Sequence, residues 1–211
     1  MDLKRRDIIV GGSALLLLAA FGVRPGRAET VDLAELMKPS KIGDIAMGSE
    51  TAPVTIVEYA SMTCSHCADF TLKTFPEIKK RYIDTGKVRY ILREFPLDPL
   101  AAGTFMLARC AGKDKYYAMV DLLFEQQRKW AVQNPLPPLF EIAKQAGFTK
   151  ESFDACLKNQ EMLNGLEEVR KRAAEQFKVD STPTFFINGE RLRGAQPFAE
   201  FEKLIEKNLK S

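Results

Sequence analysis

A β-branched and aromatic run, Val54-Thr55-Ile56-Val57-Glu58-Tyr59-Ala60, is followed within four residues by Cys64-Ser65-His66-Cys67 and then by a helical pattern over 65–82. The run is bounded by Pro53 and Ser61 and reads as a largely buried strand. The helical stretch carries Phe70, Phe75, Ile78 and Tyr82 at turn spacing, with Pro76 as an internal kink because proline has no amide donor. After Gly86 a second strand is predicted over 88–93. A strand, a helix and a strand in this order form a parallel pair with a crossover helix, the basic α/β unit. Two of the four cysteines are thereby fixed at the point where a buried strand gives way to a helix.

The pattern then changes. From about 99 to 178 nearly every segment has helical period: 100–111, 116–127, 139–146, 150–157 and 161–177. This all-helical stretch lies between Pro96 and Pro99 on one side and Pro183 on the other. Thr184–Ile187 and Glu190–Arg193 flank Asn188-Gly189, a strong hairpin signal. Residues 197–209 close the chain as an amphipathic helix with Phe198, Phe201, Leu204 and Ile205 on one face. At the other end, 31–37 reads as a short helix and 39–53 as a loop, so the folded body is expected to start near Thr51. The predicted organisation is a lead-in over 29–50 and an α/β domain over 51–211 that holds an inserted all-helical subdomain.

Residues 1–28 read as an address. Lys4, Arg5 and Arg6 precede an uncharged stretch of 16 residues, 8–23, and Gly26-Arg27-Ala28 supplies small residues for a signal peptidase. Sixteen residues containing Gly11, Gly12 and Ser13 are short for a helix crossing about 30 Å of hydrocarbon, which disfavours an uncleaved anchor. Arg5-Arg6 also resembles a twin-arginine export signal. The chain as a whole has a formal charge of +3, but removing 1–28 takes away five basic and two acidic side chains and leaves 26 of each sign. A neutral mature protein gives no warrant for a nucleic-acid partner. Export implies a bacterial periplasm, an oxidising compartment in which disulfides persist.

The chain has one histidine and four cysteines, so a His-rich metal site, a Ser-His-Asp triad and a Cys-His pair would all compete for the single imidazole of His66. Cys64 is predicted at a helix N-terminus, where unpaired amides and the helix dipole favour a thiolate, and His66 is expected to help. A stable thiolate is a good leaving group, and stabilising the reduced state makes the oxidised pair a stronger oxidant. Cys67, one turn on, lies within disulfide reach and is expected to be the buried resolving thiol. Structural zinc needs four ligands, and Cys110 and Cys156 stand 46 positions apart with no second paired spacing. No metal and no cofactor is called for.

With Glu58-Tyr59-Ala60-Ser61 leading into Cys64-Ser65-His66-Cys67, then a helical insertion, then Ser181-Thr182-Pro183-Thr184 before a strand, the chain resembles the DsbA-type thiol oxidases of the thioredoxin superfamily. The resemblance covers nearly all of the mature chain and implies a thioredoxin-like fold with the helical subdomain inserted. It implies that Pro183 is cis and packs beside the cysteine pair, with the Thr182 backbone pairing to an extended substrate. It also implies that Glu58 is a buried carboxylate beneath the pair that relays a proton; a solvated charge on an edge strand is the alternative that the residues alone leave open. Two departures stand out. Many relatives have proline where Ser65 stands, and a second acid where this chain has Thr71.

Cys110 and Cys156 fall on different predicted helices. In an exported protein a structural disulfide clamping the insertion is expected, with a regulatory bridge or two buried free thiols as the alternatives. The function expected is an exported thiol:disulfide oxidoreductase that introduces disulfides into reduced or unfolded secreted proteins through Cys64 and Cys67. By resemblance a membrane redox partner reoxidises it. An isomerase or reductase of the same superfamily is a related alternative; residues 29–50 are short for an oligomerisation segment, so a monomer is expected. A non-catalytic, chaperone-like binding module is the alternative of another class, and a glutathione transferase-like enzyme fits poorly with export.

Overall fold

The computed structural model describes residues 29–210; the predicted export segment, 1–28, lies outside the described residues, as does Ser211. In chain order the elements are α1 (Leu33–Met37), β1 (Ala46–Met47), β2 (Val54–Ala60), the helical run α2 that starts with Ser65–Asp69, and β3 (Val88–Glu94). They continue with α3 (Pro99–Cys110), α4 (Tyr116–Glu125), α5 (Gln127–Trp130), α6 (Leu136–Gln145), α7 (Lys150–Leu157), α8 (Gln160–Gln176), β4 (Thr184–Ile187), β5 (Glu190–Arg193) and α9 (Phe198–Leu209).

The strands form one sheet in the order β1-β3-β2-β4-β5. β2 and β3 run parallel, from Val54 beside Val88 to Ala60 beside Glu94, and the other neighbours are antiparallel. β2 is central, and alternation along it divides the core. Val54, Ile56 and Ala60 pack with Phe70 and Phe75 of α2, Phe201 and Ile205 of α9 and the inserted helices. Val57 and Tyr59 pack on the opposite face with Leu36, Val169, Ala173 and Phe177. Glu58 shares the first face by the same alternation, so this strand buries a carboxyl group under the start of α2. The fold is thioredoxin-like with an inserted helical subdomain.

Local chemistry accounts for the boundaries. α2 does not kink at one point: widened π-type turns at Phe70–Thr74 and Lys79–Ile83 flank Phe75–Ile78. Pro76 cannot return a hydrogen bond to the preceding turn, and the Phe75 amide reaches back five residues to the Phe70 carbonyl. α6 starts at Leu136 rather than at the predicted 139, because Pro137 and Pro138 sit in a first turn whose amides need no helical acceptor. In the β4–β5 hairpin, Asn188 and Gly189 have φ of 44° and 87°. A Cβ on Gly189 would lie 2.6 Å from the Val31 carbonyl oxygen, so this turn also admits the lead-in.

Packing begins well before the predicted Thr51. Arg93 makes two bonds to Asp44, at 3.0 and 2.8 Å, and donates to the Leu36 carbonyl and the Tyr59 hydroxyl. Arg109 grips Glu94 at 2.6 and 3.0 Å and donates to the carbonyls of Ile42 and Gly43. Gly165 of α8 has no room for a Cβ, which would meet Ile42 Cγ2 at 2.1 Å. These side chains dock 31–47 onto the domain, which composition and loop signals in that stretch did not reveal. Cys110, the last residue of α3, is disulfide-bonded to Cys156 of α7 with 6.2 Å between Cα atoms.

Candidate active site

Cys64 is the N-cap of α2, with φ −81° and ψ 117°, and no side chain caps this helix end. The extended backbone of Cys64 turns its sulfur onto the free amides of the first turn. Cys64 is half-buried, Cys67 is buried, and both are free thiols. The Cys64 thiol donates to the Thr182 carbonyl at 3.3 Å. Its pKa is brought down from an ordinary 9.0 to about 5. The largest cause is the hydrogen bond from the Cys67 thiol, aided by Thr182 and by the backbone amides of Cys67 and His66; partial burial opposes them. The Thr182 hydroxyl is buried and unpartnered beside the thiol form, which leaves it free to donate to a thiolate. Burial pushes the Cys67 thiol well above its ordinary value, and the neighbouring Cys64 and Glu58 push in the same direction. The two sulfurs are thus separated in acidity by their places in one helical turn.

His66 is exposed, and what it brings to the sulfur is its backbone amide. The Thr182–Pro183 bond is cis, and Pro183 is buried at the head of β4. Glu58 is wholly buried, and Tyr90 of β3 donates to its Oε2 in a short hydrogen bond. Its Oε1 has no partner. Burial raises the Glu58 carboxyl from 4.5 to about 8, against the pull of the Tyr90 hydrogen bond and with a contribution from Cys64. A carboxyl group held this way carries a proton at neutral pH. Thr71 is buried in α2.

Sequence reasoning missed the residues that hold this site from the insertion. Gln127 donates through Nε2 to the carbonyls of Met62, at 2.7 Å, and Cys64, at 3.0 Å. Thr63 donates to Asp98 at 2.6 Å, and Asp98 also caps α3 through the Ala101 amide. Tyr90 was equally unmarked, although a residue with a hydroxyl on the strand beside Glu58 is the signal that pairing of β2 with β3 would have supplied. A cavity of about 380 Å³ opens beside Ser65, lined by Ala68, Leu72 and Phe124 among others. Among the described residues no cluster of histidine, cysteine, aspartate and glutamate could hold a metal ion, and no helix is long and apolar enough to cross a membrane.

Comparison with known proteins bears on this geometry. A thioredoxin family model matches residues 40–207. A protein of Rickettsia prowazekii, named provisionally as a protein-disulfide oxidoreductase, is 34% identical over 161 residues, which is 72% of this chain and 59% of that protein. The chain thus spans less than two thirds of the first curated relatives it matches. Disulfide bond formation protein D of Bacillus subtilis is 27% identical over 180 residues, covering 82% of this chain and 80% of its own. Among solved structures, α-DsbA1 of Wolbachia pipientis superposes with a TM-score of 0.78 at 29% identity, covering 85% of this chain and 96% of that one. Oxidised BdbD of Bacillus subtilis superposes with a TM-score of 0.70 at 26% identity, covering 82% and 97%.

Proposed function

The chain belongs to the thioredoxin family, and on that premise we propose that it is an exported thiol:disulfide oxidoreductase that passes the Cys64–Cys67 disulfide to reduced client proteins. The observation that carries this reading is the half-buried Cys64 sulfur on the N-terminus of α2, its pKa brought down to about 5, beside a buried Cys67. A client thiolate attacks Cys64 Sγ, the Cys64–Cys67 bond breaks, and Cys67 leaves as a poor thiolate that takes up a proton. Glu58, protonated at neutral pH and coupled to Cys67, is the donor placed for that transfer. A second client thiolate then attacks the client sulfur of the mixed disulfide, and Cys64 departs as a stable anion. The client gains a disulfide, and the pair has taken up two electrons.

Stabilising the departing thiolate favours the oxidising direction. Thr182 and cis-Pro183 form the wall on which an extended client segment rests, and the cavity beside Ser65 receives its neighbouring side chains. A membrane redox partner withdraws the two electrons. Residues 1–28 direct the chain to a bacterial periplasm and are removed there, 29–50 are a lead-in that docks on the domain and supplies the edge strand β1, and 51–211 are the rest of the working domain with its insertion at about 99–178. Cys110–Cys156 is structural, and the mature protein works as a monomer.

The test uses the purified protein with its pair oxidised, mixed with a reduced two-cysteine peptide. The expected result is stoichiometric peptide oxidation in the wild type and none with Cys64→Ser, while both variants remain folded. Equal oxidation by Cys64→Ser, or faster refolding of scrambled ribonuclease than oxidation of the peptide, contradicts the oxidase reading.

A further inference from the structure

Residues 62–64, which carry the nucleophile, are held at three successive positions by the helical insertion. The Met62 carbonyl and the Cys64 carbonyl both accept from Nε2 of Gln127, and the hydroxyl of the intervening Thr63 donates to the α3 cap Asp98. Gln127 is buried at the start of α5 and lies 65 and 63 residues from its two partners. Two carbonyl oxygens facing one side chain need a group with at least two N–H bonds to give. A hydroxyl offers one and a carboxylate none. The carboxamide of Gln127 meets both acceptors with a single nitrogen, so the pair of contacts fixes the backbone on either side of Thr63 in one orientation.

We propose that Gln127 is a positioning residue for thiol–disulfide exchange: it clamps the backbone of residues 62–64 and so aims the Cys64 sulfur at the N-terminus of α2 and at Thr182. The inference rests on the reading of Cys64 and Cys67 as the exchanging pair, and it gives the helical insertion a part in the chemistry. The Cys64 carbonyl already accepts from Ala68 at 3.2 Å as the first turn of α2 forms. Gln127 adds the constraint from outside the helix. Without it, the Met62 carbonyl is left buried with no donor from α5, and the extended conformation of Cys64 loses a brace. Rotation of this short segment carries the sulfur away from the amides of His66 and Cys67, which hold it as an anion, and breaks the contact its thiol makes to the Thr182 carbonyl.

The experiment compares the full protein with Gln127→Met, which keeps an unbranched side chain and removes both donors. Three quantities are read: the pH midpoint of thiolate absorbance, the rate of peptide oxidation, and the emission of Trp130. Trp130 is the one tryptophan of the chain, lies on the same helix and is buried with its indole donating to the Leu123 carbonyl. The expected result is a thiolate midpoint raised by about one unit and oxidation slowed about tenfold, with Trp130 emission unchanged. A midpoint and rate that stay at the wild-type values overturn the proposal. So do losses that appear only together with a shift in Trp130 emission, which a packing role alone produces. Should Gln127→Met not fold, the wild type decides: Gln127 side-chain amide protons exchanging at least about a hundredfold slower than a free carboxamide support the clamp, and exchange at the free rate overturns it. A wild type that is inert toward the peptide sinks the oxidase reading, while the midpoint comparison still tests the clamp.

Discussion

The two cysteine pairs of this chain sit at opposite ends of helices. Cys64 caps the N-terminus of α2, where free amides converge on its sulfur, whereas Cys110 is the last residue of α3 and Cys156 lies in the final turn of α7. The carbonyl end of a helix disfavours an anion as its amide end favours one. The second pair therefore sits where no helix N-terminus faces its sulfurs, whereas the first places one sulfur on free amides that bring its pKa down to about 5. The same contrast recurs in the two buried glutamates. Glu94 is met by the guanidinium of Arg109 and the hydroxyl of Tyr116, and Glu58 by one tyrosine hydroxyl with an oxygen left over. Reactive groups here differ from structural ones by what the backbone places at the end of the side chain, and residue type alone does not separate them.

The largest effect expected is on stability. Replacing Cys110 and Cys156 together by serine opens the link between α3 and α7, and for a separation of 46 residues the chain-entropy model gives a loss of about 4 kcal/mol. Urea denaturation reads this, and peptide oxidation by the folded double variant should stay within about threefold of wild type. A collapse of oxidation in a still-folded double variant would merge the two pairs into one device and break the contrast.

Glu58→Gln comes next and depends on pH. The folded carboxyl group titrates at about 8 against an ordinary 4.5, so its favourable contribution is complete below about 4.5 and is lost as pH rises through about 8. Stability of the wild type should fall across that window by a few kcal/mol, and the glutamine variant should lose much of the slope. Urea midpoints from pH 4 to 9 measure it; parallel curves for the two proteins contradict the assignment. Ser65→Pro is the smallest change. Position 65 is the first residue of α2, where proline is accommodated, and the amides that serve Cys64 belong to His66 and Cys67. The thiolate midpoint should move by less than about half a unit, and a larger shift would show that the Ser65 amide also serves the sulfur.

Much of this was legible in the sequence because it is written locally. The strand over 54–60, the Asn188-Gly189 hairpin, the helical stretch and the cysteine spacing each need only a few neighbouring residues. Cys64 could be placed at a helix N-terminus from that alone. The second tier could not. Gln127 reaches Met62 across 65 residues, Tyr90 reaches Glu58 across 32, and Arg93 reaches Asp44 across 49. A glutamine at the start of a short helix carries no signal of what it will grip. The docking of 31–47 was hidden for the same reason: it depends on Arg93 and Arg109, which lie on elements far along the chain, meeting carbonyls and one carboxylate in a segment that reads as loop. Contribution of His66 through its amide was equally invisible, since a histidine between two cysteines invites attention to its ring.

Titration of the reduced protein by ultraviolet absorbance at about 240 nm, wild type against Cys64→Ser, tests the central claim most directly. One thiolate appearing with a midpoint at about 5, absent from the serine variant, is the predicted outcome. A Cys64 thiol that stays protonated until pH approaches the ordinary 9.0 would contradict it.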